Sequence, residues 1–226
     1  MRVLGIETCT RVGSMAIVDD RRVLAEVIVS ESLRHAGAFE EALRKLTREA
    51  GLTEADMDAF AVGLGPGSFT GIRVGLAIAK GLALAFQKKI VGVGTLDAMA
   101  HQISVPHFHL CPIIPGEGPE IFGALFLREK DDLLVERGGF NVAVDQLERT
   151  IGKEVFVFGP GLEKHEAFFL DVLGREFIGP KDVFPRASMI AILAQNEKWA
   201  QNHPEPFYVK EPSVGADSSQ SRDFKK

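Results

Sequence analysis

The chain has little cysteine: Cys9 and Cys111 are its only two in 226 residues. Their separation fits no zinc-ligand spacing, and two thiols do not make a disulfide framework. Such usage suits a reducing cytoplasm. The chain also lacks a basic balance. With 26 Lys and Arg against 31 Asp and Glu, the formal net charge is -5. That argues against an autonomous high-affinity nucleic-acid binder, but not against a place in a complex whose other subunit holds the nucleic acid. No apolar run reaches the roughly 20 residues of a membrane span without a charge interrupting it. The start, Met1 to Gly5, leads straight into an apolar strand pattern with no leader signature. At 46% hydrophobic and 25% charged, the chain is expected to be soluble and globular, with one large or two small domains.

Catalytic signatures are scarce as well. His107 and His109 share a strand face but have no third ligand at a suitable spacing, so they read as surface or edge histidines. His35, His101, His165 and His203 are scattered. Cys9 has no partner base, which favours a buried thiol over a nucleophile. Ser68 stands where a nucleophile elbow would place it, yet G-x-S-x-G fails because Gly67 directly precedes it.

What is present is one dense stretch, Gly63-Leu64-Gly65-Pro66-Gly67-Ser68-Phe69-Thr70-Gly71-Ile72-Arg73-Val74-Gly75. It joins the apolar run from Ala59 to Leu64, a buried-strand pattern, to a proline-free helical segment from Thr70 to Phe86. Ser68 or Thr70 could cap that helix. The stretch is neither a P-loop, which needs Lys then Ser or Thr, nor a dinucleotide fingerprint. Anion binding at the helix start is one reading, although Pro66 deletes a donor. Within the helix, Gly71, Gly75, Ala79 and Ala83 recur every four residues, with Ala77, Gly81 and Ala85 nearby. Each glycine costs up to about 1 kcal/mol of helix propensity, which close packing would offset. A helix apolar nearly all round is buried on more than one side. It is either interior to one domain or lies between its own sheet and a second protein. Arg73 and Lys80 would sit at its rim.

The remaining pattern predicts strands at Arg2 to Glu7, Ser14 to Asp19 and Val23 to Val29, a helix at Ala38 to Ala50 ended by Gly51, the Ala59 strand, the Thr70 helix, a strand at Ile90 to Val93 and a helix from Leu96 to Ile103. That βββαβαβα order resembles the ribonuclease H-like unit of the actin-like ATPase superfamily. A second half is expected from strands at Leu110 to Ile114, Ile121 to Arg128, Leu133 to Phe140 and Val155 to Phe158. Helices near Val144 to Ile151, Glu163 to Leu173 and Ala187 to Ala200 complete it, and Phe207 to Val209 is strand-like. The fold class is therefore α/β, with two ribonuclease H-like halves, each a mixed sheet flanked by helices. The expected boundaries are 1–104, 105–212 and a polar, disordered tail at 213–226.

Nucleotide-binding members of that superfamily use two phosphate turns. The first would be Glu7-Thr8-Cys9-Thr10-Arg11, an acid at a strand end followed by hydroxyls, which suits a phosphate and metal site or simply closes a turn. The second would be Pro115-Gly116-Glu117-Gly118-Pro119. Its acid sits at the tip, and its prolines remove donors, so this half is poorly equipped for ATP hydrolysis. The candidate nucleotide or phosphate contacts are Glu7, Thr8, Thr10, Gly65, Gly67 and Ser68.

The start Val3-Leu4-Gly5-Ile6-Glu7-Thr8, the Gly63 to Gly75 block, Gly92-Val93-Gly94-Thr95-Leu96-Asp97-Ala98-Met99-Ala100 and Pro206-Phe207-Tyr208-Val209-Lys210 together resemble the TsaB family, also called YeaZ. The resemblance is close over 1–104 and weak but in register beyond. It implies a non-catalytic scaffold subunit for attaching threonylcarbamoyl to the adenosine beside the tRNA anticodon. The catalytic sister family, TsaD, carries two metal-binding histidines four apart. Here those positions are Thr95 and Met99, which opposes a transferase or peptidase role and any metal on this chain. The second turn departs from the family pattern, and Glu7 stands where Asp is commoner. The resemblance implies partners: a TsaD-like transferase, a TsaE-like ATPase, a second copy of the chain when the transferase is absent, and tRNA only through the complex. No membrane and no cofactor are expected for the chain alone, Mg-ATP or ADP belonging to the complex. The expected partner-binding residues are Phe39, Leu43, Leu46, Gly71, Arg73, Gly75, Ile78, Ala79 and Leu82. The alternative function is a stand-alone small-molecule kinase or ATPase of the actin-like superfamily, which needs both acidic turns.

Overall fold

The computed structural model describes residues 1–29, 36–104, 108–130, 132–152, 154–207 and 209. His35, His107, Tyr208, Lys210 and the tail at 213–226 lie outside these residues. Two compact units emerge, one of Met1–Ala98 with Phe184–Phe207, the other centred on Met99–Val183.

The first unit is built on five strands in the order β3-β2-β1-β4-β5. β1 (Arg2–Glu7), β2 (Gly13–Asp19) and β3 (Arg22–Val29) form an antiparallel meander, with Arg2 opposite Asp19 and Glu7 opposite Ser14. β4 (Ala59–Gly63) runs parallel to β1, and β5 (Lys89–Val93) parallel to β4. Parallel neighbours need crossovers. α1 (Ala36–Ala50) and α2 (Phe69–Phe86) supply them. α1 buries Phe39, Ala42 and Leu46 and turns Glu40, Arg44, Lys45 and Glu49 outward, while Gly51 ends it in a left-handed conformation at φ 67. Ser68 caps α2 by accepting the Gly71 N–H at 3.2 Å, and Gln87 closes it in the left-handed region at φ 54.

Strand side chains alternate between the faces of this sheet. Leu4, Ile6, Phe60 and Val62 join Leu46, Leu76 and Ala79 of the helices in one core. The other face carries α6 (Ala187–Leu193), whose Ala187 and Ala191 sit so close over Gly5 that a Cβ there would overlap the Ala187 carbonyl. Ser14 Oγ accepts the Ala187 N–H at 2.9 Å, and Glu26 of β3 accepts from Ser188 Oγ at 2.9 Å and pairs with Arg186. This corrects the expectation that a helix from Ala187 to Ala200 completes the second half. It stops at Leu193 and covers β1 and β2, because its small residues fit where Gly5 leaves room. The chain then returns along the free side of β5. Gly92 and Gln201 exchange both N–H···O bonds at 2.9 Å, and Phe207 donates to the Leu64 carbonyl at 2.8 Å. Phe207 makes that bond without joining a strand, unlike the strand-like reading.

The second unit holds β6 (His109–Pro115), β7 (Glu120–Glu129), β8 (Asp132–Ala143) and β9 (Val155–Phe158) in the order β8-β7-β6-β9. β6 and β9 are parallel and the rest antiparallel, which repeats the order β3-β2-β1-β4 of the first sheet. Ile178 pairs in parallel with Val157 where a fifth strand would lie. α4 (Leu147–Ile151) and α5 (Glu166–Leu173) bury Leu147, Ile151 and Phe169 against Ile113, Ile121 and Val157. α3 (Thr95–His101) follows β5, and Arg128 donates to the carbonyls of Ala100 and Ile103 at its end, both at 3.0 Å. Two mixed sheets flanked by helices are the α/β class that the element order implied.

Candidate functional site

Glu7 closes β1 and is fully buried. One carboxyl oxygen accepts the Cys9 N–H at 2.5 Å and the other accepts the Thr95 hydroxyl at 3.2 Å. Thr95 is tied in turn to the loop before α2. Its hydroxyl accepts the Gly65 N–H at 3.2 Å, and its own N–H reaches the Gly65 carbonyl at 2.9 Å. Burial holds the Glu7 carboxyl above the usual carboxylate range, while the bonds from Cys9 and Thr95 act the other way. Burial, followed by the charge of Glu7, pushes the Cys9 thiol well above its ordinary value, which keeps it protonated and inert. The rest of the first turn is strapped to α2. Thr8 Oγ1 donates to the Gly71 carbonyl and the Ser68 N–H donates to the Cys9 carbonyl, both at 2.7 Å.

The glycine block explains itself against this turn. A Cβ on Gly63 would overlap the Glu7 carboxyl, one on Gly67 or Gly71 the carbonyls of Cys9 and Thr8, and one on Gly75 the Thr8 hydroxyl. The four glycines therefore let α2 and its approach close on residues 7–9 without an intervening layer. Glu7, Thr8, Gly65, Gly67 and Ser68 are brought together, and their polar groups are largely spent on one another. Thr10 bonds the Val12 carbonyl at 3.0 Å. A cavity of about 60 Å³ opens beside them, lined by Thr8, Thr10, Arg11, Phe39, Thr70 and Val74.

The predicted docking residues divide by direction. Phe39, Leu46, Gly75 and Ala79 are buried against their own sheet, so the stripe of small residues at four-residue spacing is an inward surface. Gly71 is half-buried against Thr8, and Leu43, Ile78 and Leu82 are half-buried. Arg73 is exposed and stacks over the Phe69 ring at 3.7 Å. The outward face of α2 is a second stripe, Ala77, Gly81 and Ala85, flanked by Phe69 at 52% and Leu84 at 83% exposure. Around Gly81 there is open space. Phe69 and Leu84 escaped the sequence reading, although the small positions between them were visible in it. α2 is also long and apolar enough to cross a membrane by length and composition, with Arg73 and Lys80 inside it; here its inner face packs on the sheet.

Elsewhere the chemistry is thin. Glu117 is exposed at the tip of the β6–β7 hairpin, where Gly116 and Glu120 bond at 2.8 Å. His109 lies 2.7 Å from Glu136, while His101 belongs to α3, His165 precedes α5 and His203 lies in the returning segment. Among the described residues no three His, Cys, Asp or Glu cluster as metal ligands. Thr95 is committed as above, and Met99 is buried. Asp97, at the start of α3, is pushed up to about 7 by burial.

The family model for TsaD, tRNA N6-adenosine threonylcarbamoyltransferase, matches residues 22–165. The chain belongs to the TsaD family. Within it, the match is to TsaB/YeaZ members. It is 38% identical over 100 residues to the tRNA threonylcarbamoyladenosine biosynthesis protein TsaB of Escherichia coli (strain K12), an alignment spanning 44% of this chain and 43% of that one. It is 28% identical over 210 residues to the Bacillus subtilis (strain 168) protein of the same name, spanning 90% and 91%. Among solved structures, YeaZ from Pseudomonas aeruginosa superposes with a TM-score of 0.75 at 20% identity, over 92% of this chain and 99% of that one, which fixes the fold.

Proposed function

We propose that this chain is a non-catalytic subunit in N6-threonylcarbamoyladenosine synthesis, where it docks onto a TsaD-like transferase that attaches threonylcarbamoyl to the adenosine beside the tRNA anticodon. The observation that carries this is the outward face of α2, where Phe69, Ala77, Gly81, Leu84 and Ala85 stand exposed on a helix whose other side is fully packed. An exposed stripe of small and apolar residues with Arg73 and Lys80 beside it is what a protein interface looks like before it is covered. The names of the curated relatives supply the pathway. The family's transferase histidines are replaced by Thr95 and Met99, and Thr95 is engaged with Glu7 and Gly65, which supports a role without chemistry of its own.

Docking uses the exposed side of α2 with the half-buried Leu43, Ile78 and Leu82 at its margin, and buries roughly 800 Å² per partner. Close approach across Ala77, Gly81 and Ala85 suits a second helix. Without the transferase, two copies of the chain cover the same faces on each other. A TsaE-like ATPase joins the pair, Mg-ATP or ADP serves the complex, and tRNA is reached only through it, in the cytoplasm. Co-purification with the TsaD-like protein of the same cell, followed by tRNA modification with and without this chain, tests the reading. Modification should need both proteins. Full-rate modification by this chain alone, or by the transferase in its absence, would end it.

A further inference from the structure

The acid at the end of β1 and the glycine block before α2 both read, in sequence, as candidates for a phosphate contact. The structure joins them to each other. Both carboxyl oxygens of Glu7 accept hydrogen bonds from within the fold, from the Cys9 N–H and the Thr95 hydroxyl. Thr95 holds Gly65 by both its hydroxyl and its N–H. Directly after Glu7, Thr8 and Cys9 grip the first turn of α2 at Gly71 and Ser68. The bare Cα of Gly63 leaves the space that the Glu7 carboxyl fills.

We propose that Glu7 is a positioning residue. Its inward carboxyl ties β1 through Thr95 to the loop before α2, and so sets where the docking helix begins. A buried carboxyl with two internal donors loses both if it turns toward a ligand, and each lost partner is costly to a group shielded from solvent. The consequence for docking rests on the function proposed above; the strap itself does not. It makes the turn after β1 and the glycine loop before α2 into an internal clamp, with Gly63, Gly67, Gly71 and Gly75 providing the clearance.

The test uses the full chain carrying Glu7→Ala, Glu7→Gln, Thr95→Val or Thr95→Ser. Amide hydrogen exchange on the lone protein should speed up by about tenfold across 65–72 in E7A and T95V, with β6 to β9 unchanged, while T95S, which keeps the hydroxyl, stays like the parent. If E7A does not fold, the T95V and T95S pair carries the comparison. Unchanged exchange across 65–72 in T95V would overturn the proposal. Isothermal titration with Mg-ATP should give the same trace for the parent and E7Q; a parent signal that E7Q abolishes would overturn it too, because Glu7 would then be a ligand. Affinity of T95V for the TsaD-like protein should fall by about tenfold. If the parent does not bind that protein at all while the exchange result holds, the docking function fails and the strap stands.

Discussion

Two glycines six residues apart in α2 have opposite surroundings. A side chain on Gly75 would collide with the Thr8 hydroxyl, whereas one on Gly81 would meet nothing. Gly75→Val is therefore expected to lower stability by roughly 1–3 kcal/mol. Gly81→Ala should raise it by about 0.5–1 kcal/mol through helix propensity. Urea midpoints of the lone chain read both. Asp97 gives a pH-dependent counterpart. Its folded carboxyl is held near 7 against an ordinary 3.8, so the folded chain keeps a proton that the unfolded chain has lost. Stability from this group is complete below the ordinary value and drains away as pH climbs to about 7. Glu7, also held up by burial, works in the same direction. Urea midpoints at about pH 5 and about pH 8 should fall with pH in the parent and fall less in Asp97→Asn; equal slopes would mean that Asp97 does not titrate in this window.

At the scale of the element, α2 has two stripes of small residues, and sequence alone could not tell them apart. Ile72, Val74, Leu76, Ile78, Leu82 and Leu84 put apolar side chains on nearly every side, so no polar face marks the outside. The inner stripe is the longer one, four positions against three, and so reads as the docking candidate; in the fold it meets Thr8 and Val62. The strands were legible because β1, β2 and β4 are short apolar runs, and α1 because its charges fall on one side. The home of α6 was not legible. Its place is decided by a bare Gly5 some 180 residues upstream, roughly a whole domain away along the chain. The direction of Glu7 was equally hidden, since an acid at a strand end has the same letters whether it faces a ligand or Thr95. Ala77→Arg and Leu84→Glu should each weaken binding to the TsaD-like protein by at least about tenfold while leaving the urea midpoint of the lone chain where it was. Surface plasmon resonance beside a denaturation curve separates the two effects, and loss of both would point to a folding defect.

For the molecule as a whole, a net charge of -5 spread over 226 residues sets the terms with tRNA. Phosphate contacts need a basic surface to release counterions, and the balance here opposes it. The lone chain is expected to leave tRNA unshifted in a native gel at about 0.15 M salt, with a shift appearing when the TsaD-like protein is added. A shift by the lone chain would place RNA contacts on this subunit. The segment that returns past β5 has a separate bearing on how the protein behaves in solution. Gln201 occupies the backbone N–H and C=O of Gly92, so these two groups are closed to another strand. A chain cut short before residue 199 would bare them. Neighbouring molecules could then add strand to strand there, the first step toward fibrous aggregates.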